Sequence, residues 1–138
     1  MATGATMRRC FPPRILRQLC HGKSLRIRAA TGAHRFIGIW VVVVKDRVFV
    51  RSWSIRPNGS YRAFLSEAQG AIRIADRDIP VVAVPTTEKR ILDTIDRAYL
   101  NKYNTPGSIK YARDLGRPQS RAATLELRPF QPVRKSRL

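Results

Sequence analysis

Acidic side chains are scarce in this chain, and none occurs before Asp46. The 138 residues hold 9 acidic against 27 basic side chains, a formal net charge of +18. Nine basic residues lie in 1–45 with no acid among them, and Arg134, Lys135 and Arg137 add three more near the end. Segment 46–128 is only moderately basic, so the excess is concentrated outside the middle of the chain. Such a field attracts polyanions: nucleic acid, acidic membrane surface or phosphorylated cofactors. Arginine outnumbers lysine 21 to 6, which suits phosphate geometry and is equally what a GC-rich genome would produce.

Cysteine is nearly absent too. Cys10 and Cys20 make no disulfide framework, and both read as free thiols of a reducing, cytoplasmic compartment. Together with His21 and His34 they lack zinc-ligand spacing, so no metal is expected. The longest apolar run, 37–44, falls well short of the ~20 residues of a membrane span, and residues 1–20 lack the apolar core of a secretory signal. No carboxylate pair, Ser-His-Asp set, glycine-rich nucleotide loop or internal repeat is present. Asp76 and Asp78 flank a turn and serve its geometry.

What is present is a hydrophobic content of 43% in short, mostly alternating segments. Residues 1–11 have no periodicity and read as a basic leader. Pro12-Pro13 opens a short helix that Gly22 ends. Alternation over 24–31 predicts a strand, and β-branched 35–44 a central strand. Lys45-Asp46-Arg47 is a tight turn, and 47–54 returns as the hairpin partner. Pro57-Asn58-Gly59 is a turn, and Ser60 caps a short helix over 61–69. Strands 71–75 and 78–84 form a second hairpin about Asp76-Arg77. Thr86 or Thr87 caps the longest helix, to about 103, with the stripe Ile91, Leu92, Ile95, Ala98 and Tyr99. Segment 104–116 reads as a loop with one helical turn, 122–128 as a last strand, and 130–138 as a basic tail. The pattern predicts an α+β domain over 12–129: a small antiparallel barrel of about six strands flanked by two to three helices.

In this order the blocks Ile39-Trp40-Val41-Val42-Val43, Val48-Phe49-Val50-Arg51-Ser52, Gly59-Ser60-Tyr61-Arg62, Asp96-Arg97-Ala98-Tyr99, Lys102-Tyr103 and Ala122-Ala123-Thr124-Leu125 resemble a bacterial family, domain of unknown function 2255. That family is similar to the flavin-binding split barrels, which include pyridoxamine-phosphate oxidases and deazaflavin-dependent nitroreductases. The resemblance implies a split barrel binding phosphorylated flavin mononucleotide or a deazaflavin as a homodimer, and an oxidoreductase in which the cofactor supplies the reactivity. It places the cofactor phosphate at Arg51, Ser52, Tyr61 and Arg62. Nitroreductase relatives carry Trp-Tyr-Arg at that helix start; here Ser60 stands in place of the tryptophan.

The residues themselves leave two readings of this segment. Arg51, Ser52, the helix start at Ser60-Tyr61 with its unpaired N–H groups, Arg56 and Arg62 can together hold one phosphate. Alternatively they form a hairpin loop with solvated arginines. Trp40 opposite Trp53 frames a flat ring or simply fills core. Because 37–44 is apolar on both faces it needs cover, which a dimer supplies. The rival function is a non-catalytic basic module that binds nucleic acid non-specifically through leader and tail.

Overall fold

The computed structural model describes residues 11–29, 36–52, 63–64 and 68–130. The first helix, α1 (Pro13–His21), is followed by β1 (Leu25–Ala29), β2 (Ile37–Ile39), β3 (Val41–Val44) and β4 (Arg47–Arg51). Then come β5 (Gln69–Ile74), β6 (Arg77–Pro85) and the long helix α2 (Lys89–Lys102). Two short helices, α3 (Ile109–Asp114) and α4 (Pro118–Arg121), precede β7 (Thr124–Pro129).

All seven strands pair antiparallel in the order β2-β1-β5-β6-β7-β4-β3. The two ends of that order, β2 and β3, are separated in sequence only by Trp40. The central strand expected over 35–44 is therefore one chain segment serving two partners. Its first half pairs with β1 and its second with β4. The sheet bends into a nearly closed barrel, an α+β fold with a seven-strand count because one strand is split.

Closure explains why 37–44 is apolar on both faces. Val41 points into the barrel with Leu25, Ile27, Val48, Val50, Ile72, Val81, Leu125 and Leu127, and α1 adds Ile15 and Leu19 to the same core. Val42 points outward into a second core with Phe49, Ile95, Tyr99, Tyr103, Ala112 and Leu115. The cover predicted to come from a dimer is here supplied by the chain's own helices α2 and α3. Phe11 is buried in the barrel core, and the Phe130 N–H donates to the Pro80 carbonyl at 3.1 Å.

Both hairpins have two-residue loops. Lys45 and Asp46 lie between paired Val44 and Arg47, both with positive φ (52° and 66°). That is the mirror-image turn whose twist matches the strands. In the second hairpin the loop is Ala75-Asp76, one residue earlier than expected, because Ile74 pairs with Arg77. Gly70 allows a close approach: a Cβ there would meet the Arg28 carbonyl at 2.3 Å and the Phe64 ring at 2.8 Å.

Other boundaries move as well. The long helix starts at Lys89 with Glu88 as its cap residue and no side-chain cap bond, so neither Thr86 nor Thr87 caps it. The loop expected over 104–116 contains α3, and the last strand begins at Thr124 rather than 122. The turn at Pro57-Asn58-Gly59 lies outside the described residues, as does most of the helix expected over 61–69; Ala63 and Phe64 are helical.

On the outer surface of β4 and β7, Glu126 is buried between two arginines. Arg47 grips it from Nε and Nη2 (3.1 and 2.9 Å), and Arg128 adds a third bond at 2.9 Å. Burial opposes ionisation of this carboxyl, and the bonds from Arg47 and Arg128 outweigh it, holding the group below its ordinary 4.5.

Two measurements follow from these features. Replacing Lys45-Asp46 by Asn-Gly puts at these two positive-φ positions the pair that adopts them most readily and should raise stability by about 1 kcal/mol in urea unfolding; no gain would argue against strain there. Glu126 carries a lowered folded-state value, so the unfolded chain binds more protons as pH falls through and below 4.5. Its stabilisation is present above that value and lost on acidification. The urea midpoint of Glu126→Gln should start lower at pH 7 and fall less steeply below pH 4.5 than the parent's.

Candidate functional site

The register that sets Val41 opposite Val50 brings Trp40 beside Arg51. Two of the five predicted site residues thus lie next to one paired position, Val41 with Val50, where the barrel closes. Ser52 follows directly, and its N–H donates to the Ala123 carbonyl at 3.3 Å. Tyr61 and Arg62 lie outside the described residues, as does Trp53.

Arg51 alternates with Val50 on β4 and so points away from the barrel, into the helix layer. Its side chain is 0% exposed. Nε donates to Thr124 Oγ1 at 2.7 Å on the neighbouring strand β7. Nη1 donates to Asp96 Oδ1 (2.5 Å) and to the Leu115 carbonyl (2.9 Å). Nη2 donates to the Leu92 carbonyl at 3.0 Å. Four of the five N–H donors of the fork are thereby engaged by β7, α2 and the end of α3. The guanidinium also lies 5.8 Å from the Tyr99 ring centroid. Asp96 is shared with Arg121, which reaches on to Asp93 at 3.1 Å, so Arg51, Asp96, Arg121 and Asp93 form one chain of alternating charge. The hydrogen bond from Arg121 holds the Asp93 carboxyl below its ordinary value.

Trp40 is pinned by the C-terminal part of the same helix. Tyr99, Lys102 and Tyr103 are spaced three and four apart and share one helix face. Tyr99 Oη donates to the Trp40 carbonyl at 3.1 Å. The Val41 N–H donates to Tyr103 Oη at 3.2 Å, and that hydroxyl donates to the Lys23 carbonyl at 2.5 Å. Lys102 Nζ donates to the carbonyls of Val41 (2.8 Å) and Leu19 (2.9 Å). The Tyr103 ring lies flat on Trp40, 3.9 Å between centroids and 1° between planes. Burial raises the Tyr99 and Tyr103 phenols above their ordinary values and lowers the Lys102 ammonium; all three phenol and amine groups act as hydrogen-bond partners of the backbone.

Asp96, Thr124 and Lys102 were not among the predicted site residues. Each sits in a block that carried the family resemblance, which was the one signal available. No local spacing links residue 51 to 96 or 124, because those contacts cross from strand to helix and from strand to strand.

A separate cavity of about 230 Å³ opens between α1 and the β5–β6 hairpin. Ile15, Ile74 and Ile79 form its apolar wall, with Arg14, Gln18 and Arg77 at the polar side. Among the described residues no group of three or more His, Cys, Asp and Glu could hold a metal ion, and no helix is long and apolar enough to cross a membrane.

The Arg51 cluster generates a stability prediction. Arg51→Met removes the fork and leaves the Leu92 and Leu115 carbonyls and Asp96 short of a donor, which should cost about 3–5 kcal/mol. Arg51→Lys keeps the charge but cannot reach all the acceptors, and should cost roughly 2 kcal/mol. Chemical denaturation of both variants measures this; a loss below about 1 kcal/mol for Arg51→Met would mean the cluster behaves like an exposed ion pair.

No curated protein matches this chain. A family profile described as "Uncharacterized protein conserved in bacteria (DUF2255)" matches residues 16–127. The matched span runs from α1 into β7 and contains Trp40, Arg51, Asp96, Tyr99, Lys102, Tyr103 and Thr124, the residues that join barrel to helix layer. The chain is a member of this bacterial family of uncharacterized proteins.

Proposed function

We propose that the domain binds a phosphorylated planar-ring cofactor, flavin mononucleotide or a deazaflavin, beside the end of β4. The observation that carries this reading is the junction itself. A half-buried tryptophan, fixed by stacking on Tyr103, lies one residue before the position paired with the strand end anchored by Arg51, and Arg56, Tyr61 and Arg62 follow in sequence.

The described residues fit such a group unevenly. Trp40 supplies an aromatic ring whose orientation is fixed by Tyr103. Arg51 does not fit as a phosphate ligand, because protein acceptors take four of its donors and its side chain is closed to solvent. Its part in this reading is positioning: it fixes the strand end. Ser52, Tyr61 and Arg62 are left to meet the phosphate. Redox chemistry would belong to the cofactor, and the reading assigns no acid or base. A homodimer belongs to the same proposal, supported by Ile37, 44% exposed on strand β2.

Fluorescence titration with flavin mononucleotide and with a deazaflavin tests it. Arg62→Ala should weaken binding by about ten- to a hundredfold, the loss of one charge-assisted hydrogen bond. Arg51→Lys should lower the unfolding midpoint yet, at temperatures where it is folded, bind within about threefold of the parent. Arg134→Ala serves as the control and should bind like the parent. A parent that binds neither compound at high micromolar concentration would reject the cofactor reading; selective loss in Arg51→Lys would return Arg51 to the ligand set.

A further inference from the structure

The outer face of β1 and β5 carries positive charge that the described residues leave unbalanced. On β1 the inward residues are Leu25, Ile27 and Ala29, so Arg26 and Arg28 point outward. Register places Arg26 directly opposite Arg73 of β5. Like charges at such a cross-strand position repel. Arg73 is answered by Asp78, which it meets at 2.7 Å in an exposed pair. Arg26 and Arg28 have no ion-pair partner among the described residues.

Arg28 shows a second anomaly. Its Nε is the one buried side-chain nitrogen or oxygen among the described residues that lacks a hydrogen-bond partner. Its guanidinium instead lies 4.5 Å from the Phe36 ring centroid, and Arg73 lies 4.0 Å from the same centroid. One aromatic ring thus holds two guanidinia on a sheet face. Beside them the surface is bare: a Cβ on Gly38, which pairs with Arg26, would meet nothing within 4 Å.

From these observations we infer that the outer face of β1 and β5 binds the phosphodiester backbone of nucleic acid through Arg26, Arg28 and Arg73. Guanidinium forks match phosphate oxygens in pairs. An open sheet face cannot enclose a small ligand, which ordinarily buries most of its surface in a cleft, whereas a polymer lays successive phosphates across such a face. Phe36 is occupied by its two cations and offers no platform for a base. The contact is therefore to the backbone, with no sequence readout.

The probe is a fluorescein-labelled single-stranded oligothymidylate, titrated with the full chain by anisotropy over a range of potassium chloride concentrations. The test pair is Arg26→Gln with Arg28→Gln. The control pair is Arg90→Gln with Arg113→Gln, which removes equal charge from exposed positions on α2 and α3. The test pair should lose about tenfold or more in affinity and lower the salt slope by about 1.4, at roughly 0.7 per single-strand phosphate; the control pair should do neither. Arg26→Glu alone, at an exposed position, should weaken binding in the same direction and covers the case in which the double variant fails to fold. Equal losses in test and control pairs would reduce the effect to net charge and overturn the site. So would binding that survives the test pair but is abolished by Arg134, Lys135 and Arg137→Gln. Competition by polyglutamate as strong as by unlabelled oligonucleotide would overturn the nucleic-acid assignment, and an oligonucleotide that does not bind the parent would overturn the proposal outright.

Discussion

One chain segment joins the two ends of the sheet, and this closure organises the molecule. Residues 37–44 complete the barrel by joining β1 on one side and β4 on the other. At the switch the ladder stops, and the backbone of Trp40 and Val41 is left with polar groups that no strand satisfies. Buried groups of that kind each need a partner. The last turn of α2 provides them, through Tyr99 to Trp40, Tyr103 to Val41 and Lys102 to Val41. An edge that would otherwise template association with another chain is covered by a helix.

The helix in turn is held by Arg51. Its side chain leaves β4 on the outward face and ties Thr124, Leu92, Asp96 and Leu115 into one cluster. A cation closed to solvent is costly unless its donors are met, and here strand, helix and helix end all meet them. Tyr99 links the two devices, since it bonds to Trp40 and lies beside the Arg51 guanidinium. Barrel closure and helix docking are therefore one network, built from residues inside the family match.

Polar residues on the outer sheet divide into two environments. Around Glu126 the arginines and the carboxylate satisfy one another, next to Phe49 and the helix layer. Around Arg28 the guanidinia outnumber the one described carboxylate that reaches them. The first cluster belongs to stability. The second leaves positive charge in excess among the described residues.

Local pattern alone determined the element types, the two hairpins, and the apolar segment at the centre of the barrel. Period-two alternation over 24–31 and the turn pairs at Asp46 and Asp76 act within a few residues, so they are legible in sequence order. The family blocks likewise contain Trp40 and Arg51. Only the tertiary structure decided that 37–44 is shared between two ends of one sheet and that the outer face of its second half is covered by α2. It alone showed that Arg51 is engaged by partners 41 to 73 residues away in sequence. An outward arginine looks the same in sequence whether it meets water, a phosphate or four protein acceptors. The difference lies in which helix packs above it, and that depends on how the whole barrel closes.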